Sequence, residues 1–280
     1  MPNVAIIGSD GFIGSNLKEH FDMRSISYVG FSRNTPFISK ATAKRILDLK
    51  ITDIVFLATD LTPLRAETDF EIVELEMENL AKLLGFLVEI LPSVNFIFPS
   101  SGGTVYSTSG IGKSETEPSE GSNAYGIFKA KCEQLVRSSA LSYSILRISN
   151  VYGKNQRTGR GQGVIAEWVR AARQNEEVIV TGSLEQSRDF IYIDDLSRAF
   201  EFAVGKKNIN EEINIGSGRA TTLSELIEIL RVTAGVPLIV DQKDARHFDV
   251  SQISLNVKKA QEILGWVPAV SVSDGIKLIW

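Results

Sequence analysis

The sequence predicts an α/β protein in which a doubly wound parallel sheet is joined to a smaller mixed α/β lobe. Three observations carry that prediction. The chain opens on a short β-type run, Val4-Ala5-Ile6-Ile7, which breaks into Gly8-Ser9-Asp10-Gly11-Phe12-Ile13-Gly14 and then starts a helix. The first half goes on alternating continuously apolar, β-rich runs with helix-period segments, the pattern of a parallel sheet covered on both faces. No linker or low-complexity segment divides the 280 residues, so the more mixed second half packs on the first and leaves a cleft.

Val4–Ile7 is the first strand and Phe12–Phe21 the helix after it. Ser27–Phe31 is a strand, Lys40–Leu47 a helix, and Asp53–Ala58 a buried-type strand. A long helix runs from about Phe70 to Leu91 and stops before Pro92, which cannot continue it. Asn95–Pro99 is a strand, Ser122–Ser139 a helix and Tyr143–Ile148 a strand. Right-handed crossovers between these parallel strands wind the sheet in both directions. In the second half, Val164–Gln174 reads as a helix, and Glu177–Thr181 and Phe190–Ile193 as strands. Asp194 or Asp195 caps the helix Leu196–Val204, Ile213–Ile215 is a strand, and Thr221 or Thr222 caps Leu223–Thr233. Lys258–Leu264 is the last helix.

Bulk properties exclude several classes. A net charge of -4 gives no electrostatic case for nucleic acid. The single cysteine, Cys132, forms no internal disulfide and suits a reducing compartment. His20 and His247 are far apart, so no metal-ligand cluster is expected. The N-terminus lacks a signal-peptide pattern, and Leu83 to Leu91 is too short to cross a bilayer, so the expectation is a cytosolic protein without a membrane partner. Glu71, Glu74, Glu76 and Glu78 read as the solvated face of the long helix, and Cys132 as an inert packing residue.

Three segments carry chemistry. In the opening turn, Gly8 bends where a side chain would clash, Gly11 admits a pyrophosphate to the backbone, and Gly14 lets helix and strand close up; the helix N-terminus favours the phosphate charge, so a dinucleotide is expected there. Tyr125-Gly126-Ile127-Phe128-Lys129 puts a phenol and an ammonium on one helical face. A free tyrosine titrates near 10, and a close cation favours its phenolate, which fits it to exchange a proton with a substrate oxygen during hydride transfer. An exposed helix pair has the same spacing. Between the two lies Phe96-Ile97-Phe98-Pro99-Ser100-Ser101-Gly102-Gly103-Thr104-Val105-Tyr106, a strand whose hydroxyl-rich end falls at the carboxyl edge of the sheet, where ligands bind.

The order of these three segments resembles the extended short-chain dehydrogenase/reductases that modify nucleotide sugars, the NAD-dependent epimerase/dehydratase family. The resemblance covers nearly the whole chain. Leu146-Arg147-Ile148-Ser149-Asn150-Val151-Tyr152-Gly153 looks like the family's strand into the substrate lobe, which implies that Asn150 contacts the sugar nucleotide. Arg188-Asp189-Phe190-Ile191-Tyr192-Ile193-Asp194-Asp195 and Arg246-His247-Phe248-Asp249 resemble its two arginine segments, implying Arg188 and Arg246 on the substrate diphosphate, a role that suits permanently charged, bidentate donors. Asn214-Ile215-Gly216-Ser217-Gly218 and Leu264-Gly265-Trp266 with Pro268 match further family segments. The resemblance implies Tyr125, Lys129 and Ser101 or Thr104 as catalytic groups. It implies a cofactor on Gly8, Gly11, Phe12, Ile13, Gly14, Ser32, Arg33, Ala58, Tyr125 and Lys129. Residues 1–153 then form a Rossmann-type NAD(P)-binding domain and 154–280 mainly a substrate lobe, with about 187–217 returning to the core.

Two positions depart from the family. Its catalytic Ser or Thr falls on Gly102, with Ser101 one place earlier and Thr104 two later. Its NAD-binding Asp after the second strand is replaced by Phe31-Ser32-Arg33-Asn34, which accommodates a 2′-phosphate and points to NADP(H) ahead of NAD(H). The expected activity is NADPH-dependent reduction of a 4-keto-6-deoxy NDP-hexose. An NAD-dependent NDP-sugar 4-epimerase uses the same parts, and a non-catalytic nucleotide-binding protein on the same fold is a third reading. A dehydratase needs a carboxylate pair where this chain has Gly102-Gly103-Thr104. A homodimer through the Phe70–Leu91 and Ser122–Ser139 helices is implied by the resemblance.

Overall fold

A computed structural model describes residues 3–32, 46–159, 163–235, 237–245 and 251–280. In chain order the elements begin β1 (Asn3–Ile7), α1 (Phe12–Met23), β2 (Ser27–Phe31), β3 (Asp53–Phe56), α2 (Pro63–Thr68), α3 (Phe70–Ile90) and β4 (Asn95–Ser101). They continue β5 (Gly110–Lys113), α4 (Ala124–Ser138), β6 (Ser142–Ile148), β7 (Asn150–Tyr152), α5 (Val164–Arg173), β8 (Val178–Thr181), β9 (Ser187–Tyr192) and α6 (Ile193–Ala203). The chain closes with β10 (Glu211–Ile215), β11 (Ala220–Thr222), α7 (Leu223–Ala234), β12 (Val240–Lys243), β13 (Ile253–Leu255), α8 (Lys258–Leu264) and α9 (Val272–Ile279).

Six strands pair in parallel in the order β10-β6-β4-β3-β1-β2, the doubly wound sheet expected. Alternate residues feed two buried layers. Val4, Ile6, Val55 and Ile97 meet Leu17 and Phe21 of α1 and Phe200 of α6 on one face. Ala5, Ile7, Ile54 and Phe96 meet Leu83 and Leu87 of α3 and Val136 of α4 on the other. Three smaller sheets, β11-β9-β7, β12-β8 and β13-β5, lie outside the main one. In the last, Ile253 pairs with Gly110 and Leu255 with Lys113, so the late chain returns beside the loop that follows β4.

Several boundaries differ from expectation. The expected helix Lys40–Leu47 lies largely outside the described residues, with 46–48 helical. An additional helix, α2, precedes α3, and Thr62 caps it by accepting from Arg65 N. α4 starts at Ala124 because Asn123 accepts from Gly126 N at 2.9 Å. Of the two capping alternatives for α7, Thr222 is the cap. Neither Asp194 nor Asp195 caps α6: the helix begins at Ile193, and both aspartates sit in its first turn. Asp195 is buried, and its Oδ2 accepts from Ala269 N and Val270 N, both at 2.8 Å, so its charge ties down the C-terminal segment.

Candidate active site

The glycine turn is built as the sequence implies. Gly8 N and Ser9 N donate to Phe31 O at 2.8 and 3.0 Å, which clamps the turn to the end of β2. Gly8 has φ +94°, and a Cβ there would lie 2.7 Å from Ala58 N. At Gly14 a Cβ would lie 2.4 Å from Gly8 O, so turn, helix and the exit of β3 close on one another only without side chains. Gly11 differs. A Cβ there would stand 3.4 Å from Gly8 O, an ordinary contact, so packing does not demand this glycine. Gly11 is also the N-cap of α1 and gives it no side-chain cap; Phe12 and Ile13 open the helix half-buried. A small residue beside an uncapped helix start fits a bound pyrophosphate.

Ser32 follows β2 directly, while Arg33 lies outside the described residues. The expectation that no carboxylate stands at this edge is incomplete. Asp10 reaches it from the glycine turn, and Lys18, Ser32 and Ser9 hydrogen-bond its carboxyl and hold it below the ordinary aspartate value.

Tyr125 and Lys129 sit on one face of α4, with Lys129 Nζ 5.7 Å from the Tyr125 ring centre. Lys129 is buried; it donates to Pro99 O at 3.0 Å and stands 5.0 Å over the Phe98 ring. Helix α4 is pinned to the hydroxyl-rich end of β4. Ser122 N donates to Thr104 O at 2.9 Å, and Gly126 packs so close that a Cβ would lie 2.0 Å from that oxygen. Thr104 Oγ1 donates to Ser101 Oγ at 2.9 Å, so both candidate hydroxyls stand together in the loop beneath Tyr125's helix.

Gly102 cannot carry the family's hydroxyl without displacement. A Cβ would lie 2.6 Å from Leu255 Cδ1 and 2.9 Å from Arg147 O. Gly102→Ser is therefore expected to lose about 1–3 kcal/mol of stability as an overpacked site. A urea midpoint equal to that of the unaltered protein would show that β13 yields instead.

Asn150 donates to Asp189 O at 3.2 Å and lies beside Gly103, across from the Ser101–Thr104 loop. Arg188 is half-buried and donates to Ser187 O at 3.0 Å and Ser251 O at 3.4 Å; Arg246 lies outside the described residues. Between Arg188 and Asn150, Asp189 accepts from Ser217 N, Ser217 Oγ, Gly218 N and Leu255 N. Burial, the largest influence, holds its carboxyl above the ordinary range against the pull of these donors. A small cleft of about 30 Å³ opens at the carboxyl end of β3 beside Phe98 and Pro99 of β4, bordered by Ala58, Lys129 and Glu76. Cys132 also borders it, and burial pushes that thiol up to about 12, in keeping with an inert residue.

Two features escaped the sequence reading. Glu76 is half-buried, and its Oε1 accepts from Asp60 N at 2.7 Å, so it does not belong to the solvated face formed by Glu71, Glu74 and Glu78. The signal was there, because Glu76 stands in the stripe Ile72-Glu76-Leu80-Leu83-Leu87 that faces the core. Glu133, one turn after Lys129, is fully buried and receives Arg147 Nε at 3.1 Å, Arg147 Nη2 at 2.8 Å and Ser100 Oγ at 2.6 Å. A charged residue in the apolar run Leu146-Arg147-Ile148 was its signal.

A family model, the NAD dependent epimerase/dehydratase family, matches residues 4–216. The dTDP-4-dehydro-6-deoxyglucose reductase of Escherichia coli is 31% identical over 270 residues, 94% of this chain and 84% of the relative. A putative UDP-glucose 4-epimerase of Methanocaldococcus jannaschii is 35% identical over 188 residues, 65% of this chain and 61% of the relative. The solved UDP-glucose 4-epimerase of Thermotoga maritima with UDP-glucose superposes with a TM-score of 0.88 at 28% identity, covering 99% of this chain and 96% of that one.

Proposed function

Since the chain belongs to the NAD-dependent epimerase/dehydratase family, and is thereby an NAD(P)-dependent enzyme of nucleotide sugars, we propose that it reduces a 4-keto-6-deoxy NDP-hexose at C4. The observation that carries this reading is the Tyr125–Lys129 face beside the cleft, next to the hydroxyl loop and at the same sheet edge as the glycine turn. The Gly8–Gly14 turn and the start of α1 fit a pyrophosphate, with Ala58 and Lys129 toward the cleft. Bound there, a nicotinamide dinucleotide supplies the hydride.

Tyr125 gives its proton to the C4 oxygen as that oxygen gains charge, and the Lys129 ammonium stabilises the phenolate left behind. Ser101 or Thr104 donates a hydrogen bond to the same oxygen and orients it. Asn150, Arg188 and Arg246 hold the sugar nucleotide, the arginines on its diphosphate. Residues 1–153 serve as the nucleotide half and 154–280 as mainly the substrate half. NADP(H) is the cofactor read from Ser32 and Arg33, with the Asp10 carboxylate weighing toward NAD(H). The enzyme acts in the cytoplasm as a homodimer, with Phe70 and Leu75 of α3 and Ile127 of α4, all exposed apolar residues, in the contact. No helix among the described residues is long and apolar enough to cross a membrane.

The 4-epimerase reading is favoured by the full-length likeness to the Thermotoga maritima enzyme. Titration with NADPH and NADH, followed by a panel of NDP-sugars and 4-keto-6-deoxy NDP-sugars, separates the two. Oxidation of NADPH in step with loss of a 4-keto sugar is the expected result. Interconversion of sugars with NAD co-purifying and no cofactor consumed makes the chain an epimerase.

A further inference from the structure

We propose that the Asp10–Lys18 ion pair sets the choice between NADPH and NADH, with Lys18 as the partner of the 2′-phosphate and Asp10 as the competitor for that lysine. The inference rests on a nicotinamide dinucleotide in the glycine turn, and it holds for reduction and epimerisation alike. The two cofactors differ by one phosphate on the adenosine ribose, so discrimination falls to the charged groups around that ribose. In a turn of this kind they stand at the end of the second strand.

Segments that are separate in sequence meet at that place. Asp10 comes from the glycine turn, Lys18 from the second turn of α1, and Ser32 from the residue after β2. Lys18 Nζ donates to Asp10 Oδ1 at 3.2 Å, and Ser9 Oγ donates to the same oxygen at 3.2 Å. Ser32 also hydrogen-bonds the carboxyl. Gly30 of β2 leaves room for this approach: a Cβ there would lie 2.8 Å from Ser9 Oγ and 3.9 Å from Lys18 Cδ, so the lysine stem lies over the strand. Asp10 is exposed, Lys18 is half-buried, and Asp10 is the one carboxylate partner of Lys18 among the described residues. An ion pair this open to solvent is weak. A phosphate dianion is the stronger partner for an ammonium, and Lys18 spends one of its three N–H donors on Asp10. NADPH therefore draws Lys18 from Asp10 and sets the carboxylate beside a like charge. NADH leaves the pair whole, with the carboxylate as acceptor for a ribose hydroxyl.

Fluorescence titration with NADPH and with NADH, on the unaltered protein, Asp10→Asn, Lys18→Met and the double variant, tests the pair. Each replacement keeps the length of its side chain, and thermal melting confirms the fold. Lys18→Met is expected to raise the NADPH Kd about tenfold and to change the NADH Kd less than about twofold. Asp10→Asn is expected to lower the NADPH Kd severalfold without tightening NADH. In the Lys18→Met background the same replacement should lose most of that gain, because no lysine remains to be released. A Lys18→Met variant that weakens both cofactors alike, or neither, overturns the phosphate role of Lys18. An equal gain from Asp10→Asn in both backgrounds overturns the competition and leaves plain repulsion. An unaltered protein that binds neither cofactor overturns the dinucleotide reading itself, and the pair falls with it.

Discussion

Tyr125→Phe is expected to lower kcat by about 10²–10⁴-fold while leaving dinucleotide affinity nearly intact. The ring remains to pack against Phe128, at 6.3 Å between ring centres, so the fold has no reason to change. The proton donor alone is removed. Steady-state turnover of the 4-keto sugar, set beside fluorescence titration with NADPH, reads the two effects separately. Turnover within twofold of the unaltered enzyme would transfer the proton to Ser101 or Thr104, which already share a hydrogen bond in the adjoining loop.

The largest expected loss of stability falls on Glu133. Its carboxylate holds the Nε–Nη2 edge of Arg147 in a fully buried pair and accepts from Ser100 on the strand that leads to Ser101. Glu133→Leu strands the Arg147 guanidinium, for which Glu133 is the one carboxylate partner among the described residues. A loss of about 3–5 kcal/mol in urea unfolding follows. Arg147→Met costs less, because Glu133 keeps Ser100 and Arg137, the latter at 3.3 Å. The double variant is expected to be more stable than Glu133→Leu alone, since no unpaired charge remains. Strictly additive losses would mean that the two charges act independently.

The parts of the site that were legible in the sequence are those set by local rules. Gly8 and Gly14 follow from turn geometry within seven residues, and Tyr125 and Lys129 from the helical repeat. What escaped depends on contacts between distant segments. Leu255 reaches Gly102 because β13 pairs with β5, a short glycine-containing strand with no alternating pattern to announce it. Asp195 resembles a helix cap in sequence, yet its carboxylate accepts from Ala269 N, Val270 N and Arg198 Nη1. Asp10 has no part in the glycine pattern, and only the clamp of the turn onto Phe31 brings it beside Ser32. Glu76 was absorbed into an acidic run because three of its neighbours face solvent, although its own spacing matched the buried stripe.

The central claim is a net hydride transfer to the sugar with Tyr125 supplying the proton. NADPH deuterated at the transferable C4 position, incubated with the protein and a 4-keto-6-deoxy NDP-hexose, tests it most directly by mass and NMR of the product. One deuterium on the sugar's C4 for each NADPH oxidised is the expected result. A 4-keto sugar recovered unreduced, with the NADPH unchanged, would contradict it.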